Sequence, residues 1–244
     1  MSKKRIHPEK KPKSGECSSL HIFSAGAVAP PIKKCALRFK AKFGTKFEFT
    51  IGKAEDLIEQ IAESREGDIL TCGSEFIRDH AQLRKLIIKD TRRSLGSRKS
   101  AILVQSGNPK KIKSISDLTK EGMRIGVSVS GCLMGLWDDL STKAGFTEQI
   151  RKNTIAYADG CGELMSFINK KKVDAILGWE AFKKLNVKTM DVVELPKDLQ
   201  VYRSTAIGII SFSKNKELAK KFIDFLVSEE GKKIYEEYGW YRLN

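Results

Sequence analysis

Apolar positions in the chain alternate between two rhythms. Short apolar runs end in Ser, Gly and Ala, and each is followed by a stretch with helical spacing. Residues 20–23 predict a buried strand, closed by Ser24-Ala25-Gly26-Ala27. A helix over 30–43 follows. Pro30 and Pro31 suit its first turn, Gly44 suits the position after its last, and Ile32, Ala36, Phe39 and Phe43 give it one apolar face. Residues 46–51 alternate, with Phe47, Phe49 and Ile51 to one side, and predict a second strand. Gly52-Lys53-Ala54 then leads into a helix with Leu57, Ile58 and Ile61 inside. Residues 68–71 predict a third strand, ending in Cys72-Gly73-Ser74, before a helix carrying Phe76, Ile77 and Leu83. Three such units in succession predict an α/β fold with a mainly parallel sheet flanked by helices.

Residues 100–105 form a strongly apolar strand, and Ser116 is placed to cap a short helix. A second set then begins: strand 124–127, loop 128–132, helix 133–143 closed by Gly145, strand 154–157, loop 159–163 and helix 164–171. Strand 173–177 leads into Gly178-Trp179-Glu180, and 205–211 is a last apolar strand before helices over 216–226 and 229–238. The halves repeat a logic rather than a sequence. In such sheets ligands sit beyond the carboxyl ends of the strands. Helix N-termini there present unpaired N–H groups and the positive end of the dipole, which favour anions. Loops of Ser, Gly and Ala let those donors come close to a small ligand.

Composition narrows the classes. With 244 residues, 41% hydrophobic and 31% charged, the chain can bury a core and is not of disordered composition. No apolar run reaches the roughly 20 residues that a membrane helix needs. The net charge is +15, and residues 1–18 read as a flexible basic leader with no apolar segment behind it, so no export signal is present in this chain. No aromatic residue is interleaved with the leader's charges, so nucleic acid is not an expected partner. The five cysteines (17, 35, 72, 132 and 161) include no C-x-x-C pair, and the three histidines leave little for His-based metal or triad chemistry. Neither G-x-S-x-G, H-E-x-x-H nor G-x-x-x-x-G-K-[ST] occurs, so no catalytic residue and no cofactor are expected.

Four segments carry a family likeness: H-I-F-S-A-G-A-V-A-P-P-I (21–32), I-G-K-A-E-D-L-I-E-Q-I (51–61), G-D-I-L-T-C-G-S-E (67–75), and the C-terminal stretch from S-T-A-I-G-I-I-S-F-S to E-E-Y-G-W (204–240). With these the chain resembles the type II periplasmic solute-binding proteins, and within them the molybdate/tungstate-binding branch. The resemblance implies two lobes joined by crossing strands near Gln105 and Tyr202. Lobe I would comprise 19–104 and 204–244, and lobe II 105–203. It further implies one ligand in the interlobe cleft, a hinge closure, a monomer, a periplasmic or extracellular location, and a membrane ABC permease as partner.

The ligand-contact residues that follow are Ser24, Ala25 and Gly26 on the first loop, Gly52 and Lys53 on the second, and Cys72 and Gly73 on the third. Ser130, Gly131, Cys132, Gly160 and Cys161 come from lobe II, with Trp179, Glu180 and Arg203 near the hinge. The branch has a serine on the second loop where this chain has Gly52-Lys53-Ala54. A lysine there holds an anion as a point charge rather than by shape. Cys72, Cys132 and Cys161 are either small buried loop residues or a thiol site for a thiophilic metal or metalloid. A carboxylate at Glu180 suits a cation or amine unless it is paired, while Asp159, Tyr157 and Glu163 are weaker candidates. The first expectation is a small oxyanion of the molybdate or tungstate type. The alternatives are a thiophilic species at the cysteines, or a two-lobed enzyme acting on a small carboxylate with Glu180 or Asp159 as base. A regulator's effector domain needs a helix-turn-helix, for which the leader is too short.

Overall fold

A computed structural model describes residues 19–242. The leader and Cys17 lie outside the described residues. The first half runs β1 (Ser19–Ala25), α1 (Ala29–Phe43), β2 (Lys46–Gly52), α2 (Ala54–Ser64), β3 (Ile69–Cys72) and α3 (Glu75–Leu83). A long β4 (Arg93–Gln105) leads to β5 (Ile125–Ser128), α4 (Leu136–Ala144), α5 (Thr147–Asn153), β6 (Thr154–Ala158) and α6 (Cys161–Asn169). The chain closes with β7 (Ala175–Trp179), α7 (Phe182–Leu185), β8 (Met190–Glu194), β9 (Tyr202–Ile209), α8 (Lys216–Leu226) and α9 (Glu229–Glu237).

The expected mainly parallel sheet with flanking helices is present. The strands run in the order β2-β1-β3-β9-β4-β7-β5-β6, with β8 on β4. β1 is parallel to β2 and β3, and β5 is parallel to β6 and β7. β4 and β9 run antiparallel to their neighbours and carry the chain between the halves. Up to Lys99, β4 bonds to β9; from Ser100 it bonds to β7, and from Ala101 also to β8. The change of partner falls at Ser100, five residues before Gln105. The apolar run 101–104 is buried and pairs with β7 and β8.

The helices follow the expected rules. α1 ends at Gly44, whose left-handed backbone (φ 72°) lets its N–H reach the Lys40 carbonyl. α2 buries Ala54, Leu57, Ile58 and Ile61, one face of a 3.6-residue period. Three local expectations are corrected. α3 buries Ile77, Arg78 and Ala81, while Phe76 and Leu83 are exposed. The 3-10 turn Ile115–Thr119 is capped by Ser114, because Asp117 reaches back to the Ser114 N–H and completes a capping box that Ser116 cannot form. The helix expected over 133–143 is broken into a 3-10 turn, Gly131–Leu133, and α4, with Gly135 in the left-handed region (φ 75°) between them.

Candidate functional site

The carboxyl ends of β1, β2 and β3 face those of β5 and β6 across a cavity of about 690 Å3. One wall is built from Ala25–Val28, Gly52–Glu55 and Gly73. The other is built from Ser130–Cys132, Asp159–Glu163 and Met165. Four helical starts open onto this space: the 3-10 turn Gly26–Val28 ahead of α1, α2, the 3-10 turn Gly131–Leu133, and α6. None has a side-chain cap. Elsewhere α3 and α9 are capped by Ser74 and Ser228, while α4, α5, α7 and α8 also lack a side-chain cap, so it is the convergence of the four starts that marks this space. An uncapped start leaves its first N–H groups free to donate to whatever fills the cavity. The entry to α6 needs Gly160, whose φ of 101° is costly for any residue with a Cβ.

Lys53 and Asp159 pair across the cavity mouth, one from each wall. Hydrogen bonding to Asp159 raises the Lys53 pKa, and Lys53, followed by Ser130, lowers that of Asp159. Ser130 Oγ donates to Asp159 Oδ1 at 2.7 Å, and the Asp159 N–H donates to Glu163 Oε2 at 2.7 Å. The wall therefore bears one lysine and three carboxylates, with Asp159 paired to Lys53 and Glu55 and Glu163 placed in the first turns of α2 and α6.

Beneath the floor lies Arg98, fully buried. Its Nη2 donates to the Gly73 carbonyl and its Nη1 to Cys132 Sγ at 3.4 Å. The guanidinium stands 4.9 Å from the Trp179 ring and 5.6 Å from Trp240. Its Nε has no hydrogen-bond partner among the described residues. Its two N–H bonds go to a carbonyl and a sulfur, not to a carboxylate, and its charge acts on the Cys132 and Cys161 thiols above it. Trp179 Nε1 also donates to Cys132 Sγ at 3.4 Å, and Cys161 Sγ lies 3.2 Å from the same sulfur. The Cys161 hydrogen bond, then Arg98 and Trp179, hold the Cys132 pKa well below the ordinary thiol value against the cost of burial. The bond to Cys132 and burial push that of Cys161 well above it.

Ten of the fifteen sequence-predicted residues line this cavity: Ala25, Gly26, Gly52, Lys53, Gly73, Ser130, Gly131, Cys132, Gly160 and Cys161. The other five do not. Ser24 is buried, with its hydroxyl turned to the Ala25 carbonyl at 3.3 Å. Cys72 is buried behind Gly73, and burial pushes its thiol up to about 12. Trp179 lies under the floor. Glu180 pairs with Lys99 at 2.8 Å and accepts from the Tyr241 hydroxyl at 2.9 Å, away from the cavity. Arg203 donates to the Cys132 and Met134 carbonyls at 2.9 Å each, bracing the turn between them, and lines a neighbouring cavity beside Gly131. Sequence reasoning missed Arg98. Its signal was the pair Arg98-Lys99 set directly against the apolar run 101–104.

A family described as bacterial extracellular solute-binding protein matches residues 20–241. The molybdate-binding protein ModA of Mycobacterium tuberculosis (strain ATCC 25618 / H37Rv) is 20% identical over 224 residues, covering 91% of this chain and 84% of ModA. The putative ABC transporter substrate-binding lipoprotein YvgL of Bacillus subtilis (strain 168) is 23% identical over 194 residues, 78% of this chain and 73% of YvgL. The crystal structure of L-phospholactate-bound PEB3, a protein of Campylobacter jejuni, superposes with a TM-score of 0.80 at 26% identity, covering 92% of this chain and 100% of that one. ModA and YvgL are both described as binding proteins. The chain belongs to the bacterial extracellular solute-binding protein family.

Proposed function

We propose that this chain captures a small anion with a tetrahedral oxyanion head in the cavity between its two walls and presents it to a membrane ABC permease. The observation that carries the reading is the convergence of four uncapped helical starts on one space, with Lys53 at its mouth and the Arg98 charge beneath it. Backbone donors aimed inward are suited to a dehydrated oxyanion. Residues 19–104 with 204–244, and 105–203, would act as two lobes closing about a hinge. The switch of β4 partners at Ser100 supports a hinge at that point. A location outside the cytoplasm fits the family description, and the chain would work there as a monomer.

Molybdate or tungstate is the first ligand reading, supported by the likeness to ModA. A second reading is favoured by size. A cavity of about 690 Å3 falls in the range of roughly 300–1,000 Å3 typical of sites for organic ligands. A short organic acid bearing a phosphate group fills that space better than a bare oxyanion, and L-phospholactate is the ligand in the PEB3 structure. Isothermal titration against molybdate, tungstate, sulfate, phosphate and L-phospholactate tests both readings. Saturable 1:1 binding of one of these anions is expected. Heat from none of the five would overturn the anion reading.

A further inference from the structure

The cleft cysteines enter the anion reading only through their backbone N–H groups, and the arrangement of their thiols points to a separate chemistry. Cys132 sits in the turn after β5 and Cys161 opens α6. Both line the cavity and both are free cysteines. Their sulfurs are 3.2 Å apart. We propose that Cys132 and Cys161 form a second binding site in the cleft, a dithiol clamp for a soft trivalent metalloid of the arsenic(III) type.

The spacing suits this class. Two bonds of about 2.3 Å from one atom to sulfurs 3.2 Å apart enclose an angle of about 88°. That suits a pyramidal centre bonding through p orbitals. A tetrahedral metal at the same bond length holds its sulfurs about 3.8 Å apart. Ligand number agrees: among the described residues no group of three Cys, His, Asp or Glu is gathered to hold a metal, and Cys72 is sealed behind Gly73. Two protein bonds and one outside substituent match a trivalent centre. Arg98 and Trp179 both donate to the Cys132 sulfur, which favours the thiolate that attacks soft centres.

With a monosubstituted arsenic(III) dihydroxide, two As–O bonds break and two As–S bonds form. From the thiolate–thiol pair the products are the cyclic dithioarsenite, one water and one hydroxide, which takes a proton from solvent. Arsenic remains trivalent and no oxidant is needed. The third arsenic bond keeps its organic substituent, for which the cavity has room.

Phenylarsine oxide is the probe, added to the Cys17→Ser protein so that a thiol outside the described residues plays no part. One equivalent is expected to bind per chain, and thiol titration in denaturant should fall from four to two. Cys132→Ser and Cys161→Ser should each weaken binding by about 100-fold or more, because the second bond is then no longer intramolecular. Cys72→Ser should leave it unchanged. Circular dichroism checks that each variant is folded. X-ray absorption on the unmutated pair, loaded with arsenite, gives a readout that needs no cysteine variant and should find two sulfurs on arsenic. Fewer than two sulfurs, or Cys132→Ser binding as tightly as the parent, would overturn the proposal. The thiol count is independent of which anion the cleft carries, so failure here leaves the anion reading standing, and the reverse also holds.

Discussion

At Gly73 the turn after β3 approaches the turn after β5 closely, and replacing it with alanine measures that closeness. A Cβ at this position would lie 2.7 Å from Arg98 Nη2, 2.8 Å from Cys132 Cβ and 3.0 Å from Cys132 Sγ. None of these atoms is free to yield. The Arg98 guanidinium is fixed by the Gly73 carbonyl and by rings on both sides, and the Cys132 sulfur accepts from two donors. Forcing one methyl into such a site costs about 1–3 kcal/mol. At about 2–4 °C per kcal/mol for a chain of this size, Gly73→Ala should melt roughly 2–12 °C below the parent. Gly162→Ala is the matched control. Its Cβ would meet nothing within 4 Å, on the other wall of the same cavity. In a helix that exchange is neutral or stabilising by up to about 1 kcal/mol. Differential scanning calorimetry on both variants, without ligand, reads the difference. A Gly73→Ala melting point within about 1 °C of the parent would refute the close approach of the turn after β3 to the turn after β5.

Three further outcomes follow from the same contacts. Lys53→Ala removes the lysine of the cavity wall, so anion affinity should fall and its dependence on salt should flatten when titrations at low and high ionic strength are compared. Asp174 is buried, accepts from the Arg124 N–H at 3.0 Å and pairs with its guanidinium at 2.7 Å. Burial works against its ionised form, but the Arg124 hydrogen bonds outweigh it and lower the pKa below 3.8. A carboxyl with a depressed folded-state pKa stabilises the fold above the unfolded value and loses that contribution as pH falls through the folded one. Urea melts of Asp174→Asn should therefore show less loss of stability below about pH 4 than the parent, with lower stability at pH 7. Gly162→Trp projects a large ring into open cavity space and should abolish anion binding, read by titration calorimetry, while leaving the far-UV circular dichroism of the parent.

The parts of this molecule that could be read in the chain were those set by local rules. Pro30, Pro31 and Gly44 bracketed α1, and Leu57, Ile58 and Ile61 marked the buried face of α2, because helix ends and faces depend on residues a few positions apart. The small-residue loops after five strands marked ten wall residues for a similar reason, since strand-to-helix turns point their starts the same way. Long-range pairing was not legible in this way. The first half of β4, Arg-Ser-Leu-Gly-Ser-Arg-Lys, has no strand pattern and is a strand only because β9 lies beside it. β8 is a five-residue edge strand recruited by β4. The same limit misplaced Glu180 and Arg203: each stands next to the cleft in sequence, but Lys99 and Tyr241 draw one away, and the carbonyls of the Cys132–Met134 turn engage the other. It also hid Arg98, whose role under the floor arises from four separated segments, at Gly73, Cys132, Trp179 and Trp240, meeting around it.

Backbone amides at uncapped helical starts are the central claim, and nuclear magnetic resonance reads them directly. In 15N-labelled protein titrated with molybdate and with L-phospholactate, the account predicts that one of the two shifts the amides of Gly26, Ala27, Ala54, Cys132, Cys161 and Gly162 together, with one saturation curve. Shifts confined to surface lysine neighbourhoods, with those six amides unmoved, would contradict it.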